Sequence, residues 1–197
     1  MTKVLCANVA DWEANMVNVN SEDKLRRSIW QQLEQAVTCR EHAWRIPVLA
    51  NVDGRGLPQA RTVVLRGVDA TSQQLRIFTD HRSPKALAFA SRPQAVLVFW
   101  SGVLSWQLRV VVDVRIETGG PLVDEGWERL SRTAAAADYL STQAPGSPIQ
   151  SDSTQSAGEH ALGIMIAHVR SIDWLELSAQ GHRRARLTDE DFQWLVP

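Results

Sequence analysis

The chain has 197 residues, 44% of them hydrophobic, with 21 Lys and Arg against 22 Asp and Glu and a formal net charge of -1. That balance describes a globular chain able to bury its own core, and it excludes disordered, collagen-like and polybasic classes, including the basic excess that non-specific nucleic-acid binding requires. No apolar run approaches the roughly 18 residues that a bilayer span needs, no basic stretch leads into an apolar signal core, and Cys6 and Cys39 form no metal-ligand pattern, so a cytoplasmic protein without membrane partners is expected.

Residues 1–20 carry scattered polar side chains without a period and are expected to form an irregular arm ahead of one domain over 21–197. From Ser21, apolar residues Leu25, Ile29, Leu33, Ala36 and Val37 recur at helical spacing, with Ser21 as N-cap and Glu22 and Asp23 in the first turn. Strands follow. Residues 44–52 run into the turn Asp53-Gly54-Arg55-Gly56, and 59–68 return as one strand. Residues 75–79, 95–100 and 106–117 continue the series. The run 95–100 is apolar at every position and belongs in the middle of a closed sheet. Alternation over 106–110 places Gln107 and Arg109 on one face. Helices are expected from Ser83 to about Ser91 and from about Leu122 to Leu140. Residues 141–158 are rich in Ser, Thr, Gln, Pro and Gly and read as a long loop. Strand patterns resume at 161–177 and 183–187, and the chain closes on Phe192-Gln193-Trp194-Leu195-Val196. About eight short strands with few helices make a mainly β fold, a barrel with peripheral helices.

Arginine supplies 18 of the 21 basic side chains, and its planar fork suits bidentate recognition of carboxylate or phosphate. Thr79-Asp80-His81-Arg82-Ser83-Pro84-Lys85 follows a strand and opens a helix, with Ser83 as N-cap and Pro84 at the first helical position. Free backbone N–H groups, Arg82 and Lys85 together sketch a phosphate cradle. A common surface helix start explains the same residues. In Arg61-Thr62-Val63-Val64-Leu65-Arg66, period-2 alternation puts the two arginines on opposite faces of a regular strand, so both serve one ligand only where two chains meet. His182-Arg183-Arg184-Ala185-Arg186 with Trp174 is either a site for an aromatic or phosphorylated ligand or a solvated turn. No nucleophile motif, zinc motif, Walker loop or dinucleotide fingerprint occurs, so neither catalytic nor metal-ligating residues are assigned and demanding chemistry falls to a bound cofactor.

Taken in order, Arg61-Thr62-Val63-Val64-Leu65-Arg66, Phe78-Thr79, Arg82-Ser83-Pro84-Lys85, Phe99-Trp100 and Gln107-Leu108-Arg109-Val110 resemble the pyridoxamine 5'-phosphate oxidase family of antiparallel FMN-binding split barrels. The likeness runs from about Trp44 to Pro197. It implies a homodimer with FMN at the subunit interface, acting on a small molecule. By analogy Arg61 and Lys85 would hold the phosphate with Ser83 beside them. Thr62, Val63, Val64, Leu65, Phe78 and Thr79 would line the ribityl chain and ring, and Gln107 would hydrogen-bond the ring. Gln143, Trp174 and Arg186 would add cofactor contacts, and Arg66 and Arg183 would meet substrate.

Several positions depart from the family pattern. Arg66 stands where the family usually has Lys, Pro84 interrupts the usual Ser-Arg-Lys, and Arg183-Arg184-Ala185 replaces Arg-Leu-His. The Tyr, Arg and Ser that grip the vitamer phosphate are missing from 126–134. The expected function is therefore an FMN-dependent oxidoreductase, nominally of pyridoxamine 5'-phosphate. A non-catalytic carrier of FMN or a B6 vitamer is one alternative, and a split barrel using haem or deazaflavin is another.

Overall fold

The computed structural model describes residues 21–149 and 159–197. Helix α1 (Glu22–Thr38) buries Leu25, Ile29, Trp30, Leu33 and Ala36, the stripe that its spacing predicts, and packs on strand β3. Nine strands follow: β1 (Val48–Val52), β2 (Pro58–Thr62), β3 (Leu65–Asp69), β4 (Gln74–Asp80), β5 (Gln94–Ser101), β6 (Trp106–Glu117), β7 (Leu162–Glu176), β8 (Arg183–Leu187) and β9 (Phe192–Leu195). Between them lie α2 (Pro84–Phe89) and α3 (Pro121–Ser131). The expected 122–140 helix stops at Ser131 and resumes as a 3-10 segment, Ala134–Tyr139. Likewise 44–52 begins with a 3-10 turn, Ala43–Arg45, and becomes strand only at Val48, after Pro47.

All pairings are antiparallel, in the order β2-β1-β5-β6-β7-β4-β3, with β8 and β9 added beyond β7. The outermost strands of that path, β2 and β3, are consecutive in sequence and joined by Val63 and Val64 alone. A two-residue link cannot span seven flat strands spaced about 4.8 Å apart, so the sheet must curl until its edges meet. The result is a barrel whose β2 and β3 edges do not pair.

The expected single strand 59–68 is thus two. Its two halves lie at opposite ends of the hydrogen-bonded path. A second irregularity sits just beyond the break. Leu65 pairs with Ile77 and Gly67 with Arg76, leaving Arg66 as an extra, bulged residue. Gly67 tolerates the tight packing, since a Cβ there would lie 3.2 Å from Arg76 Cδ.

The barrel interior is aromatic. Trp44, Trp106, Trp174 and Phe99 are fully buried, with ring centroids 5.3 Å apart for Trp106–Trp174 and 5.9 Å for Trp44–Phe99. Strand β5 lies between β1 and β6 as expected, yet only one of its faces is core: Ala95, Leu97 and Phe99 are buried while Trp100 is 48% exposed. Among the described residues no helix is long and apolar enough to cross a membrane.

Candidate functional site

Strand β4 delivers the chain to the cradle. Asp80, at its end, is buried and accepts from the backbone N–H of Arg82 (2.8 Å) and from its guanidinium (3.1 and 2.6 Å). This closes a tight turn into α2, where Ser83 occupies the N-cap in extended conformation and Pro84 the first turn, as the sequence predicts. Arg82, expected to add free charge, is instead neutralised by Asp80. Its remaining N–H groups reach the carbonyls of Thr142 (3.5 Å) and Gln143 (3.4 Å), which ties the start of the long loop to the turn. Gln143 is thereby held next to the cradle; residues 150–158 of that loop lie outside the described residues.

The uncommitted cations are Arg61 and Lys85. Arg61 pairs across β1 with Leu49, a core residue, so its side chain lies on the inner face of the sheet, where it donates to Asn51 Oδ1 and to the Leu49 carbonyl (3.3 Å). Lys85 Nζ donates to Ser83 Oγ (3.3 Å), and that hydroxyl also meets Thr79 Oγ1 (3.4 Å). Burial, then the positive charge of Arg61, hold the Lys85 ammonium below the usual lysine range, with Asp80 opposing. Burial likewise depresses Arg61. Neither cation has a salt-bridge partner among the described residues. Two desolvated cations, close enough to repel and flanked by buried hydroxyls, form a site that an oxyanion would relax. The donor set therefore fits a phosphate.

The segment 62–65 leads away from the cradle. Thr62 is exposed at the end of β2, Val63 and Leu65 are buried in the core, and Val64 is half-buried on the wall of a cleft. That cleft, about 560 Å³, is also lined by Arg40, Arg45, Ile46, Arg66, Phe78, Arg129, Leu130, Thr133 and Ala135. The bulge aims Arg66 into it, with the guanidinium carbon 5.7 Å from the centre of the Phe78 ring. Tyr139, the sole tyrosine, lies near Arg66 and Asp80, and burial raises its phenol.

Gln107 and Arg186 stand elsewhere. Leu108, Trp174 and Ala185 face the core, so Gln107, Arg109, Asp173, Arg184 and Arg186 share the outer face of β6, β7 and β8. Asp173 receives Arg109 and, bidentately, Arg184 (3.0 and 2.7 Å). Those two guanidiniums outweigh burial and hold its carboxyl below the usual range. Arg183 pairs with Glu176 (2.7 Å) over the Trp174 ring. One expectation needs correction. The Trp174 side chain is wholly enclosed by the aromatic core, so no ligand reaches it. Arg183 is not near Arg66 within one chain: their β7 positions, opposite Glu176 and near Met165, are eleven residues apart, about 35 Å of extended strand.

Sequence reasoning missed Asn51, Arg45, Arg129 and Tyr139. Asn51 had a signal, a polar residue at a core-facing position of β1. The others come together only through the fold. Among the described residues no cluster of His, Cys, Asp and Glu could hold a metal.

Residues 27–117 match the family model described as pyridoxamine 5'-phosphate oxidase, FMN-binding domain. A pyridoxine/pyridoxamine 5'-phosphate oxidase of Thermobifida fusca is 47% identical over 57 residues, 28% of this chain and 25% of the relative. The enzyme of the same name from Acaryochloris marina is 36% identical over 92 residues, 47% of this chain and 40% of the relative. The matches span about a quarter to two-fifths of these relatives' length. Among solved structures, a pyridoxamine 5'-phosphate oxidase-related, FMN-binding protein from Nostoc punctiforme superposes with a TM-score of 0.69 at 21% identity, covering 87% of this chain and 96% of the other. PhzG from Burkholderia lata, in complex with tetrahydrophenazine-1-carboxylic acid, gives 0.67 at 15% identity over 100% and 99%. The curled antiparallel sheet with unpaired edges is the split-barrel fold of these solved structures, and residues 27–117 are similar to the FMN-binding domain of the pyridoxamine 5'-phosphate oxidase family.

Proposed function

We propose that the chain binds FMN and carries out flavin-mediated oxidation of a small molecule as a homodimer. The observation that carries this reading is the pair Arg61 and Lys85, two partly desolvated cations without a salt-bridge partner among the described residues, set beside the Ser83 and Thr79 hydroxyls. In this reading they hold the FMN phosphate, Asn51 orients Arg61, and Thr62 to Leu65 with Phe78 flank the rest of the cofactor. Bound FMN supplies hydride acceptance; the protein positions substrate and excludes water.

The homodimer is supported by the outer face. Val48, Val52, Trp100 and Val111 are 37 to 48% exposed, and the β1-β5-β6 register joins them through Ala50, Val96 and Val98 into one apolar surface. Arg61 lies on the inner face, whereas Gln107 and Arg186 lie on the outer. They serve one cofactor only when different subunits supply them. Arg66 and Arg183, separated along β7, obey the same logic.

The test is the visible spectrum of the purified protein, followed by anaerobic mixing with pyridoxamine 5'-phosphate and other small reductants. The reading expects released FMN, not riboflavin or FAD, and bleaching by at least one reductant. A colourless protein that takes up no FMN refutes it, while a flavin that no reductant bleaches leaves a carrier.

A further inference from the structure

The turn between β4 and α2 contains a carboxylate that competes with any anion for Lys85. Asp80 ends β4 with its side chain 5% exposed. Ser83 joins it to the lysine: the Ser83 backbone N–H donates to the Asp80 carbonyl (3.1 Å), and the Ser83 hydroxyl accepts from Lys85 Nζ (3.3 Å). The Asp80 charge reaches Lys85 and favours its ammonium, against burial and Arg61. A carboxylate out of water needs a cationic partner, and a lysine in the same turn is placed to supply it. Yet the two form no salt bridge.

Arg82 is the reason. Asp80 Oδ1 accepts from the Arg82 backbone N–H (2.8 Å) and from Nε (3.1 Å), and Oδ2 accepts from Nη2 (2.6 Å). Both oxygens are thus engaged by one residue, with the planar fork that suits a carboxylate. Hydrogen bonding to Asp80 in turn raises the Arg82 guanidinium, with burial opposing. The remaining N–H groups turn away from the cradle, toward the Thr142 and Gln143 carbonyls. A guanidinium committed in this way is not itself a phosphate ligand. Its effect on the cradle runs through Asp80.

We propose that Arg82 is a positioning residue for the anion site: by occupying both oxygens of Asp80 it keeps that carboxylate from capturing Lys85, and so leaves the ammonium for a phosphate. That the phosphate belongs to FMN rests on the flavin reading above; that Arg82 keeps Lys85 uncommitted does not. Removing Arg82 alone releases a buried carboxylate beside the lysine, whereas removing both charges of the pair releases nothing.

The experiment compares wild type with Arg82→Gln, Asp80→Asn and the double variant in two measurements. Equilibrium dialysis gives the FMN affinity. Acetylation of the FMN-free chains with acetic anhydride over a pH series, read by peptide mass spectrometry, gives the reactivity of Lys85, with the exposed Lys24 as internal reference. In Arg82→Gln, Lys85 should pair with Asp80, react more slowly and titrate at higher pH, and FMN should bind about tenfold more weakly. Asp80→Asn keeps an acceptor for the Arg82 backbone N–H and should bind FMN at least as tightly as wild type, with Lys85 at least as reactive. The double variant should recover wild-type Lys85 reactivity and most of the FMN affinity lost in Arg82→Gln. Unchanged Lys85 reactivity in Arg82→Gln overturns the proposal. So does weakened FMN binding in Asp80→Asn, or a double variant no better than Arg82→Gln, because the pair would then be scaffold. If Arg82→Gln does not fold, Asp80→Asn and the double variant decide by comparison with wild type. Absence of FMN uptake by wild type overturns only the cofactor reading, since acetylation is read on the FMN-free chains.

Discussion

Replacing Lys85 by Met separates a binding role from a structural one, because the two predict opposite signs. Among the described residues the ammonium donates only to Ser83 Oγ, at 3.3 Å, and burial and Arg61 disfavour its charge. Met keeps the apolar stem, so packing changes little. If Lys85 holds the FMN phosphate, the variant loses one charge-assisted hydrogen bond, about 1.5 to 3 kcal/mol. That corresponds to roughly a 10- to 150-fold rise in Kd. Without FMN, removing one of two mutually repelling cations leaves the melting temperature unchanged or raised. The assay pairs equilibrium dialysis of FMN with thermal unfolding of the FMN-free protein. A variant that melts lower while its FMN affinity is unaffected refutes the argument, since Lys85 would then be part of the scaffold. A double-mutant cycle with Arg61→Ala sharpens the result: residues on one phosphate couple, and additive losses would place them on different ligands.

The pH dependence follows from the same group. With its folded pKa below the unfolded value, the unfolded chain binds the extra proton between the two, so FMN-free wild type gains stability as pH rises through that window. The stability difference from Lys85→Met should shrink there, and a difference that grows contradicts the assignment. Trp174→Ala opens a cavity in the aromatic core and should cost about 3 to 5 kcal/mol in urea unfolding; a selective loss of FMN at unchanged stability would return Trp174 to the site. Val111→Glu places a charge on the exposed apolar face of β6, and light scattering should report a monomer with weakened FMN retention. A dimer that persists would locate the interface elsewhere.

Much of the fold was legible because its causes are local. The α1 stripe, the Ser83-Pro84 helix start and the alternation of β6 each follow from a few adjacent residues, and each matches the structure. Where local reading went wrong, long-range closure decided. Nothing in Arg61-Thr62-Val63-Val64-Leu65-Arg66 forbids a continuous strand; the strand breaks because its halves belong to opposite ends of a sheet that must curl. In the sequence Arg82 reads as charge for the cradle, because nothing local marks Asp80 as its partner. Only the turn that buries Asp80 commits both.

The break and the bulge bear directly on function. On a regular strand Arg61 and Arg66 point to opposite faces, and one chain could not build a phosphate site and a neighbouring cleft from six consecutive residues. Ending β2 at Thr62 leaves Arg61 facing inward beside Asn51 and Lys85, and the extra residue at the start of β3 re-aims Arg66 over Phe78. The same irregularity that keeps the barrel edges from pairing thereby divides the segment's positive charge between two sites. The cradle receives one arginine and the lysine of α2. The cleft receives the other, among three arginines that no sequence motif connects to it.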